Sequence, residues 1–165
     1  MKAEIRGFVP EYMARIAQLT NKSNQFNLTT KRYTLSEIEE AAKADNIITL
    51  YGKLEDKFGD NGVVSIVIGE KINDELHIRL WLMSCRVLKR DMEFAMMDKL
   101  IRICIEQNIK TIYGYYYPTA KNKMVKDFYK EMGFTKQDED SSGNTVWTYK
   151  VEKNYENKNK VIYVD

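Results

Sequence analysis

Residues 46–84, "NIITLYGKLEDKFGDNGVVSIVIGEKINDELHIRLWLMS", hold three apolar runs rich in β-branched and aromatic residues, at about 47–55, 62–70 and 74–84. The clusters Gly59-Asp60-Asn61-Gly62 and Asn73-Asp74 that separate them are hairpin signals, so the three runs predict an antiparallel meander. The third run leads into "MSCRVLKRDMEFAM", residues 83–96, and a helix predicted over about 91–107. Met92, Met96, Met97, Leu100, Ile101 and Cys104 recur there at helical spacing, giving one apolar face to lay on the sheet. Next, "KTIYGYYYP" reads as a strand. A strand, helix, strand step across 76–116 makes that part of the sheet parallel, because such a connection needs a helix-sized crossover.

Working outward, "AEIRGFV" is a short strand, and Pro10 opens a helix with Tyr12, Ile16 and Leu19 on one stripe. The polar stretch "SNQFNLTTKRYTL" breaks that helix, and Thr34 or Ser36 can cap a second, "SEIEEAAKA". Towards the C-terminus, "AKNKMVKDFYKEM" is helical and closed by Gly133. "FTKQDED" and "NTVWTYKVE" then form a strand pair around Ser141-Ser142-Gly143. The sum is an α/β fold: a mixed, mostly antiparallel central sheet with helices on both faces. Its domain is expected over 1–152, with 153–165 a tail that starts polar and frays but whose last apolar residues can dock.

Composition narrows the function classes. The chain has 165 residues, enough for one core. Its 26 lysines and arginines nearly balance 24 acids, so net charge supports neither a nucleic-acid scaffold nor a membrane-surface protein. No apolar run approaches the roughly 20 residues that span a bilayer. Cys85 and Cys104 have neither metal-ligand nor disulfide-framework spacing, and the N-terminus lacks a signal-peptide core. A reducing, cytoplasmic setting without a metal is expected.

The element order resembles the GNAT family of N-acetyltransferases. "NKMVKDFYKEMGF" is similar to that family's pattern Asn-x-x-Ala-x-x-x-Tyr-x-x-x-Gly-Phe, through Asn122, Val125, Tyr129, Gly133 and Phe134. Four stretches, "RIAQLTNKSNQFNLTTKRYT", "KFGDNGVV", "WLMSCRVL" and "YYPTAKNKMVKDFYKEMGF", also resemble the C-terminal region of FkbH-like proteins. Those are HAD-type enzymes linked to methoxymalonyl and glyceryl carrier-protein biosynthesis. The aspartate-rich phosphatase motif of their upstream HAD domain is missing from these 165 residues, so glyceryl transfer is not assigned to them.

The GNAT resemblance implies acetyl-CoA, another acyl-CoA or a phosphopantetheine thioester as donor. It places the donor along Met83, Ser84, Cys85, Arg86, Val87, Lys89, Arg90, Asp91 and Met92, with Asn122 and Phe128 beside the pantetheine arm. Tyr129 falls where many of these enzymes hold the acid that protonates the leaving thiolate. The turn departs from the pattern. GNAT turns usually carry glycines whose flanking amides hold pyrophosphate, and FkbH-like turns read Arg-Val-Leu-Gly-Arg-Gly. Here Lys89 and Asp91 take the glycine positions. Asp91 can cap its own helix and occupy the donors that a phosphate would use. A carboxylate about 5 Å from phosphate costs roughly 3 kcal/mol at an effective dielectric near 20. A self-capped helix and a working phosphate turn both remain open.

Glu75, His77, Tyr115 and Tyr117 are the candidate bases on the central strands. The alternation of His77 with Glu75 and Arg79 suggests a solvated outward face. Cys85 reads as structural rather than nucleophilic, and Cys104 as core. The tyrosines of "GYYYP" lack the basic groove that single-stranded nucleic acid requires. Two functions follow. One is acyl transfer from CoA or a carrier-protein thioester, with Tyr129 as acid. The other is a non-catalytic docking module for an acyl carrier protein or a HAD-type partner.

Overall fold

The fold is that of a computed structural model describing residues 1–87 and 90–165. Its strands are β1 (Lys2–Arg6), β2 (Ile47–Asp56), β3 (Gly59–Ile72), β4 (Glu75–Met83), β5 (Thr111–Tyr116), β6 (Thr135–Glu139), β7 (Thr145–Lys150) and β8 (Tyr163–Val164). The helices are α1 (Pro10–Lys22), α2 (Leu35–Lys43), α3 (Met92–Glu106) and α4 (Phe128–Glu131). The strands make one sheet in the order β6-β7-β5-β4-β3-β2-β1-β8. Only β4–β5 and β1–β8 are parallel, so the expected mixed α/β sheet is present.

Local chemistry explains most boundaries. Pro10 lies in the first turn of α1, where its missing N–H costs no helical hydrogen bond. Thr34 caps α2 reciprocally: its Oγ1 accepts the Glu37 N–H at 3.1 Å, and Glu37 Oε1 accepts the Thr34 N–H at 3.0 Å. Two expectations are corrected. The β2–β3 turn falls at Lys57 and Phe58 rather than 59–62, because Asp56 Oδ1 accepts the Phe58 N–H at 2.8 Å and closes the hairpin early. The helix expected over "AKNKMVKDFYKEM" breaks into a 3-10 turn, Lys123–Val125, and the four-residue α4. Asn122 and Asp127, each preceding one of these pieces, sit outside helical geometry.

Both faces of the sheet are covered. Ile16, Leu19 and Ile38 from α1 and α2 pack with Ile66, Ile68, Leu80 and Leu82. On the other face, α3 and α4 pack through Met92, Met96, Leu100, Phe128 and Tyr129 against Leu50, Leu54, Val67 and Trp81. A bulge switches the alternation of β4: Ile68 pairs with Leu80 and Gly69 with Ile78, so Arg79 is the extra residue. On β5, Gly114 is required by close approach. A Cβ there would lie 2.6 Å from the Tyr129 ring.

Residues 153–165 are tied down, both at the polar start expected to fray and at the apolar end expected to be able to dock. Asp98 of α3, only 6% exposed, accepts from the Tyr155 hydroxyl at 2.5 Å and from the N–H groups of Lys158 and Asn159 at 2.9 and 3.0 Å. Ile162 enters the core, and β8 then pairs with β1. Asp98→Ala removes all three bonds and strands two amides. It should cost about 3 kcal/mol in urea unfolding and open the tail to limited proteolysis. Unchanged stability with a protected tail would show that Asp98 is not its anchor.

Candidate functional site

The parallel pair β4–β5 is short. Glu75, Leu76 and His77 pair with Thr111, Ile112 and Tyr113, and beyond them the two strands form no further pairs. Separated strands leave N–H and C=O groups that need partners. The segment 26–29, between α1 and α2, supplies them. Leu28 N–H donates to the Trp81 carbonyl at 3.1 Å, and Met83 N–H donates to the Phe26 carbonyl at 3.0 Å. Thr29 Oγ1 donates to the Arg79 carbonyl at 2.8 Å. On the β5 side, Tyr117 N–H donates to the Leu28 carbonyl at 2.9 Å. The side chains pass through the sheet. Phe26 and Leu28 join the core beneath α3 and α4, and the Phe26 ring meets Phe128 edge-on at 5.2 Å. This strap closes the gap between β4 and β5.

Asn122, fully buried, clamps the strap. Its Nδ2 donates to the carbonyls of Asn27 and Tyr117, both at 3.0 Å, and its Oδ1 accepts the Thr119 N–H at 2.7 Å. The amide expected beside a pantetheine arm therefore holds the chain itself in this conformation. Phe128 lies in the same core, against Trp81 at 4.8 Å.

In the turn after β4, Lys89 lies outside the described residues. Met83, Val87 and Met92 are buried, while Ser84 is half-buried and Cys85 and Arg86 are exposed. Arg90 pairs with Asp56, so its charge is already engaged. The expected Asp91 cap is not made. Asp91 precedes α3 at φ 66°, ψ 5°, its side chain makes no capping bond, and its Oδ2 lies 3.5 Å from the Lys160 N–H. Left-handed backbone turns the carboxylate away from the helix amides. It is also the conformation a glycine would adopt, so the turn keeps a glycine geometry at Asp91 without the glycine.

Tyr129, the expected acid, is 1% exposed. Burial pushes its phenol far above the ordinary value, against a smaller pull from the Tyr115 backbone. That contact falls short of a hydrogen bond, so the hydroxyl has no partner, and neither has the indole N–H of fully buried Trp81. The general-acid assignment is corrected for this conformation: a hydroxyl sealed in the core cannot reach a leaving thiolate.

The structure assembles a different set. His77 Nδ1 lies 2.6 Å from the Tyr115 hydroxyl, and His77 Nε2 lies 3.1 Å from Glu75 Oε1. The neutral Nε2–H tautomer satisfies both contacts, with Tyr115 donating to Nδ1 and Nε2 donating to Glu75. His77 also stacks on Tyr113 at 4.6 Å, so it is held rather than solvated as its alternation suggested. Arg79 is gripped by Glu70 at 2.9 and 3.1 Å and lies 5.6 Å above the Tyr115 ring. Burial raises the Tyr115 phenol, which keeps it protonated and able to donate to His77. A cavity of about 480 Å³ opens beside it, lined by Thr29, Lys31, Ile78, Arg79, Tyr115 and Tyr117. The sequence offered Glu75, His77, Tyr115 and Tyr117 only as separate candidates. The Glu-x-His spacing was a signal, but the parallel register that brings Tyr115 to His77 was not. Among the described residues, no three His, Cys, Asp or Glu side chains gather as a metal site.

No known protein-family pattern and no curated protein matches the chain. Solved structures do. An acetyltransferase of the GNAT family from Streptococcus pneumoniae aligns with a TM-score of 0.69 at 14% identity, over 92% of this chain and 100% of that one. The PaiA N-acetyltransferase from Thermoplasma acidophilum, solved in complex with coenzyme A, gives 0.66 at 17% identity over 91% and 99%. Ard1 from Thermoplasma volcanium gives 0.65 at 22% identity over 93% and 100%. The chain therefore has a GNAT-like fold.

The unpaired Tyr129 hydroxyl sets a test. Tyr129→Phe should leave urea stability unchanged or raise it by up to about 1 kcal/mol, since no hydrogen bond is lost. A clear loss of stability would mean that the hydroxyl has a partner.

Proposed function

We propose that this domain transfers an acyl group from a CoA or phosphopantetheine thioester to an acceptor amine, using Glu75, His77 and Tyr115 for proton transfer. The observation that carries this reading is the Glu75–His77–Tyr115 chain, set where β4 and β5 separate and beside a cavity on the sheet face. The GNAT-like fold and the coenzyme A in one of its structural relatives support a thioester as the donor.

The proton path follows from the geometry. As the acceptor nitrogen forms its bond to the thioester carbonyl carbon and the C–S bond breaks, the nitrogen must lose a proton. Tyr115 takes it while passing its own to His77 Nδ1, and Glu75 steadies the resulting imidazolium through Nε2–H. The thiolate leaves and takes a proton from solvent. The donor's arm belongs in the gap between the strands, where withdrawal of the strap frees Met83 N–H and Tyr117 N–H and the Arg79 and Trp81 carbonyls. The orphaned Trp81 N–H and Tyr129 hydroxyl are further groups suited to a polar arm, because unpaired buried donors are costly. Asn122 would then exchange the Asn27 carbonyl for the arm.

The closed strap favours a second reading. If the strap never withdraws, the domain docks a partner without catalysis, and the FkbH-like stretches nominate an acyl carrier protein or a HAD-type domain. Calorimetric titration with acetyl-CoA, paired with a thiol-release assay, separates the two. For acyl transfer, binding is expected in the micromolar range, and Tyr115→Phe should lower kcat/KM by about two orders of magnitude with little change in acetyl-CoA affinity. No heat up to millimolar acetyl-CoA leaves the docking reading. Replacing Asp91 tests the turn separately. Asp91→Gly removes the carboxylate and relieves the left-handed backbone, so acetyl-CoA should bind roughly tenfold more tightly. Unchanged affinity would place the donor's phosphates away from this turn.

A further inference from the structure

The cavity of about 480 Å³ beside Tyr115 carries charge that the proton relay does not use. Lys31 and Arg79 line it, and no carboxylate is among its lining residues. Glu70 grips Arg79 through one oxygen, which accepts from Nε and Nη2 and leaves Nη1 outside the pair. Lys31 forms no ion pair among the described residues. Its Nζ lies 5.0 Å from the centre of the Tyr33 ring, and α1 fixes Tyr33. The Tyr33 N–H donates to Thr20 Oγ1 and its carbonyl accepts from Asn21 Nδ2, both at 3.0 Å. Lys31 also follows the left-handed residue Thr30 (φ 53°), so residues 26–29 can withdraw while it stays over Tyr33. With Glu70 offsetting Arg79, the surplus at the cavity is the one positive charge of Lys31. Glu75 is held on the far ring nitrogen of His77, on the side away from Tyr115.

We propose that this cavity takes a small amine that also carries a carboxylate, of the free α-amino-acid type, with the carboxylate on Lys31 and Arg79 and the amine at Tyr115. One surplus charge matches a carboxylate monoanion and falls short of a phosphate dianion. The two cations also select against polyamines and protonated lysine side chains, which they repel. They lower the proton affinity of an amine placed beside them, and an amine must be neutral to attack. The groups that hold the acid therefore favour the reactive form of its nitrogen. Arg79 lies 5.6 Å from the centre of the Tyr115 ring, and an α-amino acid carries its two groups one carbon apart. A carboxylate on Nη1 thus leaves the amine next to Tyr115. Ile78 and the Tyr117 ring offer apolar wall for a side chain, and the volume suits a small molecule. Calling this molecule the acceptor rests on the acyl-transfer reading, whereas the carboxylate site rests on the cavity alone. In that reaction the nitrogen bonds the carbonyl carbon as the C–S bond breaks. The nitrogen's proton leaves through Tyr115, the thiolate takes one from solvent, and the product is an N-acyl amino acid.

His77 provides the readout. It is the only histidine in the chain, so its Cε1–H gives a single NMR signal, one hydrogen bond away from the cavity wall at Tyr115. Titration with L-leucine or L-phenylalanine at fixed pH should move that signal, with half-saturation at roughly millimolar concentration. L-leucinamide and L-phenylalaninamide should bind about tenfold more weakly, although their less basic amines are more often neutral. Lys31→Gln should weaken binding of the two acids about fivefold and shrink their advantage over the amides. Lys31 is exposed, so the fold should survive its replacement. Equal binding of acids and amides, no shift with either acid up to roughly 50 mM, or an undiminished preference in Lys31→Gln would each overturn the proposal. Addition of acetyl-CoA separates this site from the reaction. Acids that bind but release no thiol would reject acyl transfer and leave the site standing. Thiol release as fast with the amides as with the acids would keep acyl transfer and reject this acceptor class.

Discussion

Two parallel strands that part company cannot leave their facing amides and carbonyls buried and unpaired. The separation of β4 and β5 after His77 and Tyr113 is the constraint on which the other features of this chain depend. The strap at 26–29 answers it with three backbone hydrogen bonds and one from the Thr29 hydroxyl, and sends Phe26 and Leu28 into the core under α3 and α4. Asn122 and Thr119 are organised around the strap, and the aromatic it inserts meets Phe128, which in turn packs on Trp81 and Tyr129.

The same separation brings Glu75, His77 and Tyr115 together on the opposite face. Because β4 and β5 are still paired at His77 and Tyr113, His77 sits beside the first unpaired turn of β5, and Tyr115 can lean back onto its Nδ1. The bulge at Arg79 then redirects β4. Glu75 and His77 before it lie on the same face of the sheet as Leu80 and Leu82 after it, which pack against α1 and α2. Without the bulge, regular alternation would turn Leu80 and Leu82 to the face opposite Glu75 and His77. A one-residue change of register exchanges the two faces of a strand.

Much of this architecture was legible in the sequence because it is set locally. The meander, the long helix with its methionine stripe, the Thr34 cap and the parallel crossover all follow from periodicity and turn chemistry. The strap was not legible. "SNQFNLTT" reads as polar and helix-breaking, and its one internal signal is that Phe26 and Leu28 alternate. The strands that accept them lie far along the chain, as in the Thr29–Arg79 contact across 50 positions. The spacing that identifies Tyr129 fixes its place in α4 but not its burial, which depends on Gly114 admitting the ring. Asp91 fails as a cap for a backbone reason. A carboxylate caps from extended backbone, and left-handed backbone aims it at the tail instead.

On the proposed acyl-transfer reading, strap and donor compete for one set of groups, and the competition has a magnitude. Withdrawing the strap exposes Phe26 and Leu28, at about 1.5–3 kcal/mol for each side chain. It also breaks backbone bonds worth about 1 kcal/mol apiece net. Opening without a ligand is therefore rare, and apparent donor affinity falls by the open fraction. A thioester arm recovers part of that cost by bonding the freed groups and meeting the unpaired Trp81 and Tyr129 donors. Its affinity advantage must come from what the strap cannot do, namely satisfying those two donors and engaging cations beyond the gap. A ligand that binds the open and closed forms unequally shifts their balance by that difference in affinity alone.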